Sequence, residues 1–563
     1  MSRCFLDAFP VEILYAIFSY FLAHEILLTF SSASPFVDAA LVTYSDYRID
    51  FKSILKRHFD LVCRRIRPDQ VVSLKLFDDD DTPCQIKIFL SQFQIEQFTR
   101  LRSLTLPDVQ TSWLQHILSN LNKLERLNSL KLVNTPFSGR IYERSDCLIN
   151  YTVENRLKCI PLSHLQQLTI SNCSFHDLEN IFTRALQLKS LNIQLTGAAA
   201  SLKYFPVLPQ LTSLMLKIDD ENSAFVPTGN NLILSMNTFE FFLSKLPRLR
   251  HLVLDGQAHT SIIDGRRWEI LAMDLLTFNF NFKLEINQIE QILETFRTPF
   301  WIERKRWFVA YIHGRLFSVP HFVGRCITLP FHTPVHSTTP NDELFYEHVD
   351  SLGLPNAEID DVHRFAHVTT LRLELAIRLT TIQTMIDLSR VRELILYGRE
   401  SLSIILQIPT VMPRVDKISL YFGISENINN DLRRIRDMQP IKQVRTLQII
   451  GSKYMSYVRN MSSIKELCRI FTHVKQLHVF DQTSIRHIGC WIDGFKYLSN
   501  ASFYLSLSMN ETINHRLMRK PNMLVNGSCS LANGTFECRI IDLGERKAYC
   551  SIWIGDQASL SQY

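Results

Sequence analysis

Apolar residues recur along most of this chain in one six-residue phrase, apolar-x-x-apolar-x-apolar. The phrase begins at Val71, Leu101, Leu127, Leu165, Leu188, Leu211, Leu249 and Leu275, and after a break it returns at Val368, Val391, Val415, Val444 and Val474. Its fourth and sixth positions are two residues apart, so on a β-strand both side chains point to the same side. Each phrase therefore predicts a strand that buries one face.

The segments between the phrases contain helical spacings of apolar residues, for example at 92–98 and 239–246. A unit of one strand and one helix cannot bury its apolar face alone, whereas stacked units form a continuous core. The pattern therefore predicts an α/β fold whose repeated strands form one continuous sheet. An ordinary α/β sheet of parallel strands is the alternative.

One copy of the phrase extends to LQQLTISNC, residues 165–173, and matches the pattern Leu-x-x-Leu-x-Leu-x-x-Asn/Cys in full. On this motif the chain resembles leucine-rich-repeat proteins. The resemblance implies an irregular solenoid with a first block at residues 71–280 and a second block at 366–563, which ends in a C-terminal cap. The concave face would hold a protein target through variable positions such as Thr105, Lys131, Thr169, Asn192, Met215 and Arg372.

Residues 281–365 interrupt the period. The stretch PFWIERKRWFVAYIHGRLFSVP, residues 299–320, alternates aromatic with polar residues around His313-Gly314, which predicts a β-hairpin. The insertion could divide the array into two halves or bind a partner. Our preferred interpretation is that the hairpin extends the sheet.

The first fifty residues predict three short amphipathic helices. Pro10 and Glu12 suit the first turn of a helix. The apolar residues that follow form one wide face: Ile13, Leu14, Ile17, Phe18 and Phe21. A second helix is predicted near Ala23, and a third begins after Ser34-Pro35. Acidic residues interrupt this apolar stretch, which indicates neither a signal peptide nor a transmembrane helix.

The order of residues in these helices is also specific. It reads Phe9-Pro10-x-Glu12-Ile13-Leu14-x-x-Ile17-Phe18-x-Tyr20-x-Leu22, followed by His24-Glu25-Ile26-Leu27. Over residues 3–50 this resembles an F-box. The resemblance implies a module that binds the Skp-type adaptor of a cullin–RING ubiquitin ligase. The positions that match the adaptor contacts of the family are Pro10, Ile13, Leu14, Phe18 and Leu22. For any one of them, packing inside the three-helix core is the alternative.

Residues 51–70 are expected to form a helical linker between this module and the array. Further along, the aspartate run at residues 78–81 is interpreted as a solvated turn, because four adjacent carboxylates repel one another. Cys468 lies near His473, but no neighbouring residue in the sequence indicates an activated nucleophile.

Composition limits the other functions. The chain has an excess of six basic residues and no long basic run, so it does not indicate nucleic-acid binding. Its twelve cysteines include no CxxC pair, which argues against a zinc site and favours reduced thiols. No motif for nucleotide, phosphate, cofactor or catalytic zinc is present.

The sequence thus predicts a non-enzymatic substrate receptor of an SCF-type ubiquitin ligase, located in the cytoplasm or nucleus. Its partners would be a Skp-type adaptor, a cullin scaffold and a protein target, without nucleic acid, membrane or cofactor. One alternative is a leucine-rich-repeat scaffold unconnected to ubiquitin. Another is an enzyme on an α/β fold, which one continuous sheet disfavours because it lacks a strand-order switch point.

Overall fold

A computed structural model of the chain describes most of its length. The described residues are 4–107, 109, 111–133, 160, 162–195, 206–218, 236–257, 260–284, 288–312, 314–323, 326–328, 336–341, 343–354, 364–374, 379–397, 404–405, 407–421, 439–451, 461–483, 485–506, 528, 531, 535–544 and 547–555.

The chain begins with helices that precede the first strands. These are α1 (Val11–Phe18), α2 (Ala23–Phe30), α3 (Pro35–Thr43) and, after strand β1 (Tyr47–Asp50), α4 (Lys56–Arg65). Short 3-10 turns lie at Phe5–Ala8 and Pro68–Gln70. Helix α4 falls within the predicted linker, and the buried residues Phe59 and Val62 attach it to the core.

The first sheet contains β1 and eleven further strands. These are β2 (Val71–Lys75), β3 (Ser103–Pro107), β4 (Ser129–Val133), β5 (Gln167–Cys173), β6 (Ser190–Leu195), β7 (Ser213–Ile218), β8 (His251–Gln257), β9 (Thr277–Lys283), β10 (Phe308–Ile312), β11 (Arg315–Val319) and, after β12 of the second sheet, β13 (His336–Ser337). Strands β1 to β9 are parallel neighbours in chain order. The hairpin β10–β11 then pairs antiparallel with β9.

The second sheet has ten strands. These are β12 (Cys326–Thr328), β14 (Ser351–Leu354), β15 (Thr370–Leu373), β16 (Glu393–Tyr397), β17 (Lys417–Tyr421), β18 (Thr446–Ile450), β19 (Gln476–Thr483), β20 (Asn500–Ser506), β21 (Phe536–Gly544) and β22 (Lys547–Ile554). They are parallel from β12 to β20, and the antiparallel pair β22–β21 completes the far edge.

Helices stand between successive strands. They are α5 (Gln85–Gln92), α6 (Thr111–Leu118), α7 (Phe175–Arg184), α8 (Met236–Ser244), α9 (Gly265–Leu271), α10 (Ile289–Thr295), α11 (Glu343–Tyr346), α12 (Leu379–Met385), α13 (Ile408–Val411), α14 (Met461–Ile470) and α15 (Ile485–Gly494). Their apolar residues and the fourth and sixth residues of the strand phrases form two large buried cores, one under each sheet.

The protein is therefore an α/β fold built on two large, mostly parallel sheets, and among the described strands neither sheet closes into a barrel. The expectation of one continuous sheet is wrong. The physical reason lies in the insertion, where β10, β11 and β13 pair antiparallel at the edge of the first sheet. The next parallel strand, β12, consequently starts a new sheet with β14. Of the predicted hairpin turn, His313 lies outside the described residues.

The segment that follows the N-terminal helices contacts the last strands of the second sheet. The fully buried indole of Trp553, in the last strand, packs against the ring of Phe59 with centroids 5.3 Å apart. Its Nε1 donates a hydrogen bond of 3.2 Å to the carbonyl oxygen of Ile54. Trp553 therefore belongs to the core of the first sheet, although its own strand is in the second.

The aspartate run at residues 78–81 lies in this contact, so its interpretation as a solvated turn is wrong. Asp78 is only 3% exposed and Arg539 only 9%. Arg539 Nη1 donates to the carbonyl oxygen of Asp78 at 2.8 Å, and Nη2 lies 3.3 Å from a carboxylate oxygen of Asp80. Asp81 accepts a hydrogen bond of 3.0 Å from the hydroxyl of Ser53. We call residues 77–83 the acidic loop.

Burial raises the pKa of all four carboxyls above the ordinary value of an aspartate, and Arg539 opposes this rise at Asp78, Asp79 and Asp80. The sequence suggested solvation because four adjacent carboxylates repel one another. The compensating charge comes from a strand more than 450 residues later.

Candidate protein-binding surface of the N-terminal helices

Local polar contacts fix the starts of α2 and α3, whereas α1 begins after a proline without a side-chain cap. Pro10 has the extended backbone of an N-cap and precedes α1. Before α2, the carboxylate of Glu25 accepts a 2.7 Å hydrogen bond from the backbone N–H of Leu22. Before α3, Ser34 Oγ accepts a 3.2 Å bond from the N–H of Val37. These contacts satisfy donors that a helix leaves free at its start.

The interior of this region is aromatic. Phe18 is fully buried, and its ring lies 5.1 Å from Phe30 and 5.4 Å from Tyr44. Leu14, one turn earlier on α1, is also fully buried. Burial raises the pKa of the Tyr44 hydroxyl, as expected for a phenol in an apolar site.

The opposite side of α1 is exposed and largely apolar. Pro10, Ile13, Ala16 and Tyr20 follow one another at helical spacing, and Ile17 is half-buried at its border. Ile13 is 45% exposed and Tyr20 is 84% exposed. We call these five residues the α1 face.

The five sequence-predicted contact residues do not lie together on that surface. Pro10 and Ile13 are on the α1 face, and Leu22 is half-buried at the start of α2. Leu14 and Phe18 are enclosed by their own chain, so neither can contact a partner in this conformation. The burial of these two side chains agrees with the alternative of core packing, and the assignment of the five residues as adaptor contacts stays a prediction.

Sequence reasoning also missed Tyr20, which at 84% is the most exposed large apolar side chain among the described residues. Tyr20 and Phe21 follow α1 directly, and other apolar side chains of this region are exposed as well: Phe5, Leu28, Phe36 and Val42. The signal was present in the sequence. Tyr20 lies seven residues after Ile13, a helical spacing, in the turn that follows α1, whereas Leu14 and Phe18 lie four residues apart on the other side of the helix.

This concentration of apolar surface is local. Among the described residues, fourteen large apolar side chains are clearly exposed, and seven of them lie between Phe5 and Val42. Single exposed apolar residues need no explanation, whereas contiguous groups indicate a binding surface. The N-terminal helices therefore form the best candidate for a protein-binding surface in this molecule.

Carboxylates predominate around the surface, although the exposed Arg48 contacts its edge and Arg100 pairs with Asp46. Residues 4–46 contain five carboxylates and no lysine or arginine: Asp7, Glu12, Glu25, Asp38 and Asp46. Asp38 accepts a 2.9 Å hydrogen bond from the N–H of Ser32, and Glu25 serves as a cap. The surface is consequently apolar and is bordered mainly by carboxylates.

The surface is held rigidly against the first sheet. The side-chain amide of Gln70 donates to the carbonyl oxygens of Val42 and Tyr44 at 2.7 and 2.9 Å. Tyr47 donates from its hydroxyl to the carbonyl oxygen of Leu41 at 2.9 Å, and Arg48 donates to that of Ser19. The N-terminal helices also share one buried core with the strands that follow.

Other candidate chemistry is sparse. Burial raises the pKa of the Cys468 thiol to about 12, and His473 bonds Thr472 rather than this cysteine. Within the described part of the chain, no three His, Cys, Asp or Glu residues are arranged to hold a metal ion. No helix in that part is both long and apolar enough to cross a bilayer.

Comparisons with known proteins give little further information. No family profile and no curated protein sequence matches this chain. Among solved structures it resembles the crystal structure of the Rad7 and Elc1 complex in yeast, with 14% identical residues and a TM-score of 0.24. The match covers 83% of this chain and 88% of the other. A TM-score this low does not establish a shared fold.

Proposed function

We propose that the protein is a substrate-recognition subunit of an SCF-type cullin–RING ubiquitin ligase. The observation that carries the proposal is the α1 face, since the F-box-like residues Pro10 and Ile13 are exposed there beside Tyr20. An exposed apolar helix face within an otherwise packed core fits docking of a foreign helix or groove. In this proposal the partner is a Skp-type adaptor, which links the protein to a cullin in the cytoplasm or nucleus.

The remainder of the chain would present the target. Stacked strand phrases with helices between them fit a leucine-rich-repeat-like solenoid, and the faces of the sheets opposite the cores supply an extended surface. The protein would perform no bond chemistry itself. It would raise the rate of ubiquitin transfer by holding the target near the subunits that carry out the reaction.

Capture of a purified Skp-type adaptor tests this function. Replacing Ile13 and Tyr20 by glutamate places charges on the α1 face without disturbing the core, so capture should fall at least tenfold. Ile270→Glu is a matched control, because Ile270 is 73% exposed on α9 and lies outside the N-terminal helices. Charged residues at the buried Leu14 or Phe18 would test folding instead of binding.

The second candidate is a protein-binding scaffold unconnected to ubiquitin. It is favoured by the continuous core that joins the N-terminal helices to the first sheet, because such helices could simply cover the end of the array. The same capture experiment separates the two. If the wild-type protein does not retain the adaptor, the ligase proposal fails and the scaffold stands.

A further inference from the structure

The second sheet carries a row of apolar side chains on the face opposite its core. The seventh residues of four successive phrases lie in register on β16, β17, β18 and β19: Tyr397, Tyr421, Ile450 and Phe480. All four are half-exposed. With neighbouring strands about 4.8 Å apart, the row spans roughly 14 Å across the sheet. We call these four residues the aromatic row.

The aromatic row is not needed to fill the core. The rings of Tyr397 and Tyr421 stack on each other with centroids 4.3 Å apart and planes 20° apart. The preceding residues of the same strands, such as Leu396 and Leu420, are the ones buried against the helices.

The first sheet shows that the repeat does not require apolar residues at this position. The seventh residues of four successive phrases there also lie in register, and they are polar: Gln194, Lys217, Asp255 and Asn281. Earlier phrases of the first sheet have Phe77, Pro107 and Val133 at this position, so what distinguishes the second sheet is that three of its four successive seventh residues are aromatic. The partial exposure of the aromatic row is typical of a contact surface.

A cation lies on the same face of the sheet, beside the row. It is in register with Ile395, two residues before Tyr397, and the seventh residue of its own phrase is Glu374. Arg372, on β15, is close enough to Tyr397 for its charge to favour the ionised phenol. Arg372 has no ion-pair partner among the described residues, and its Nε is buried without a hydrogen-bond acceptor. By contrast, Lys417 on β17 is paired with Glu393 at 2.8 Å. The exposed Glu374 also lies near Tyr397 but not within ion-pair distance of Arg372.

The other end of the same face is already covered by an acidic segment of the chain itself. The carboxylate of Asp81, in the acidic loop, lies 3.6 Å from Nε2 of His478. Its carbonyl oxygen accepts a 3.2 Å hydrogen bond from Asn500. His478 stacks beside Phe480, the last residue of the row, with centroids 6.2 Å apart. This face therefore accommodates carboxylates on an irregular segment of polypeptide.

We propose that the aromatic row binds an extended, acidic segment of a partner protein. Apolar side chains of that segment would pack on Tyr421 and its neighbours, and a carboxylate would pair with Arg372. The inference rests on the target-binding half of the proposed function and does not require the adaptor. A nucleic acid is less suited, because phosphates need several cations along their path and the described row offers one that is not already paired.

Selection from a library of random decapeptides on the immobilised full-length protein tests the inference. We expect the selected peptides to be richer in Asp and Glu than the input library. In fluorescence anisotropy a selected peptide should bind the Tyr421→Ala protein about tenfold more weakly, as for an aromatic contact residue. Arg372→Gln should remove the preference for the acidic peptide over its Asn/Gln counterpart. Tyr497→Ala is the matched control, since Tyr497 is 47% exposed outside the row.

Benzoylphenylalanine at position 397 should crosslink to the peptide upon irradiation, which keeps the test valid if Tyr421→Ala does not fold. The inference is overturned by a selection without acidic enrichment, by unchanged affinity of a folded Tyr421→Ala protein, or by absence of the crosslink. Displacement of the peptide by oligo-dT would also overturn it in favour of nucleic acid. Adaptor capture is measured separately, so failure of the α1 face leaves the peptide result interpretable.

Discussion

At the scale of single residues, burial beside the acidic loop changes the pKa of a histidine. His478 faces Asp79, Asp80, Asp81 and Lys417, and its Nδ1 lies 2.7 Å from the hydroxyl of Ser502. Burial lowers the pKa of this imidazole to about 4 despite the nearby carboxylates. Desolvation of the imidazolium is thus a larger effect than its attraction to the aspartates.

This lowered pKa predicts a loss of stability in acid. The unfolded chain takes up a proton at the histidine below pH 6.5, whereas the folded chain does so only near pH 4. Between pH 7.5 and 5.0, His478 should therefore cost the wild type about 2 kcal/mol relative to His478→Gln. Urea unfolding of both proteins at pH 7.5 and 5.0 measures the difference.

The four raised aspartate pKa values act in the opposite direction, because a folded state that binds protons more readily gains stability as the pH falls. Both proteins contain these aspartates, so comparing them removes most of that contribution. Equal acid losses in the two proteins would show that His478 does not titrate in this way.

At the scale of elements, α1 has two apolar sides with different roles. Leu14 and Phe18 face the core, whereas Ile13 and Tyr20 face outward. Leu14→Ala should therefore lower the free energy of unfolding by about 2–5 kcal/mol through lost burial and a cavity. Ile13→Ala should change it by less than about 0.5 kcal/mol.

Chemical denaturation of both variants measures this contrast, and the adaptor-binding assay supplies the complementary readout. A large loss of stability in Ile13→Ala would mean that α1 is covered on both sides. The α1 face would then no longer be a candidate for binding.

The elements themselves could be predicted to a large extent. Each of the thirteen apolar phrases contains a strand, because the two-residue period fixes which side chains share a face. The starts of α1 and α3 agree with the positions of Pro10 and Ser34. Strand β1, YRID, was not predicted, because it lies apart from the repeated phrases and gains its register only by pairing with β2.

The contacts between elements were less accessible from the sequence. Helical periodicity places Leu14 and Ile13 on different sides of α1. It does not predict which of these sides packs against the rest of the chain. The charge run at 78–81 gave a wrong interpretation because Arg539 is remote in sequence. Likewise, the apolar phrases specify parallel strands but not the antiparallel edge at which one sheet stops.

At the scale of the whole molecule, the contact between the acidic loop and the last strands joins the two sheets. The acidic loop follows β2 in the first sheet, whereas Arg539 and Trp553 belong to the last strands of the second. Within each sheet, most strands pair with strands that are close in the sequence. The contact of the acidic loop with Arg539 instead links residues more than 450 positions apart. Because the helix that carries the α1 face shares the core of the first sheet and the aromatic row lies on the second sheet, this contact helps to fix the position of one surface relative to the other.

Arg539→Met tests the importance of this link. The substitution keeps an apolar stem but leaves the buried Asp78 and the half-buried Asp80 without their cation, and an unpaired buried charge typically costs about 3–5 kcal/mol. If this loss of stability separates the acidic loop and α4 from the last strands, backbone amides in α4 and β22 should exchange with solvent at least about a hundredfold faster. Hydrogen–deuterium exchange with peptide-level mass spectrometry measures this directly.

Two further variants make the outcome specific to the buried charges. Arg304→Met is the matched control, since Arg304 is exposed, and it should leave exchange in α4 and β22 unchanged. Adding Asp78→Asn to Arg539→Met should recover part of the protection, because removal of the second charge is less costly than leaving it buried alone. If Arg539→Met exchanges like the wild type in both elements, the arginine does not hold the acidic loop to the last strands, and the apolar packing of Trp553 on Phe59 suffices to link the two sheets.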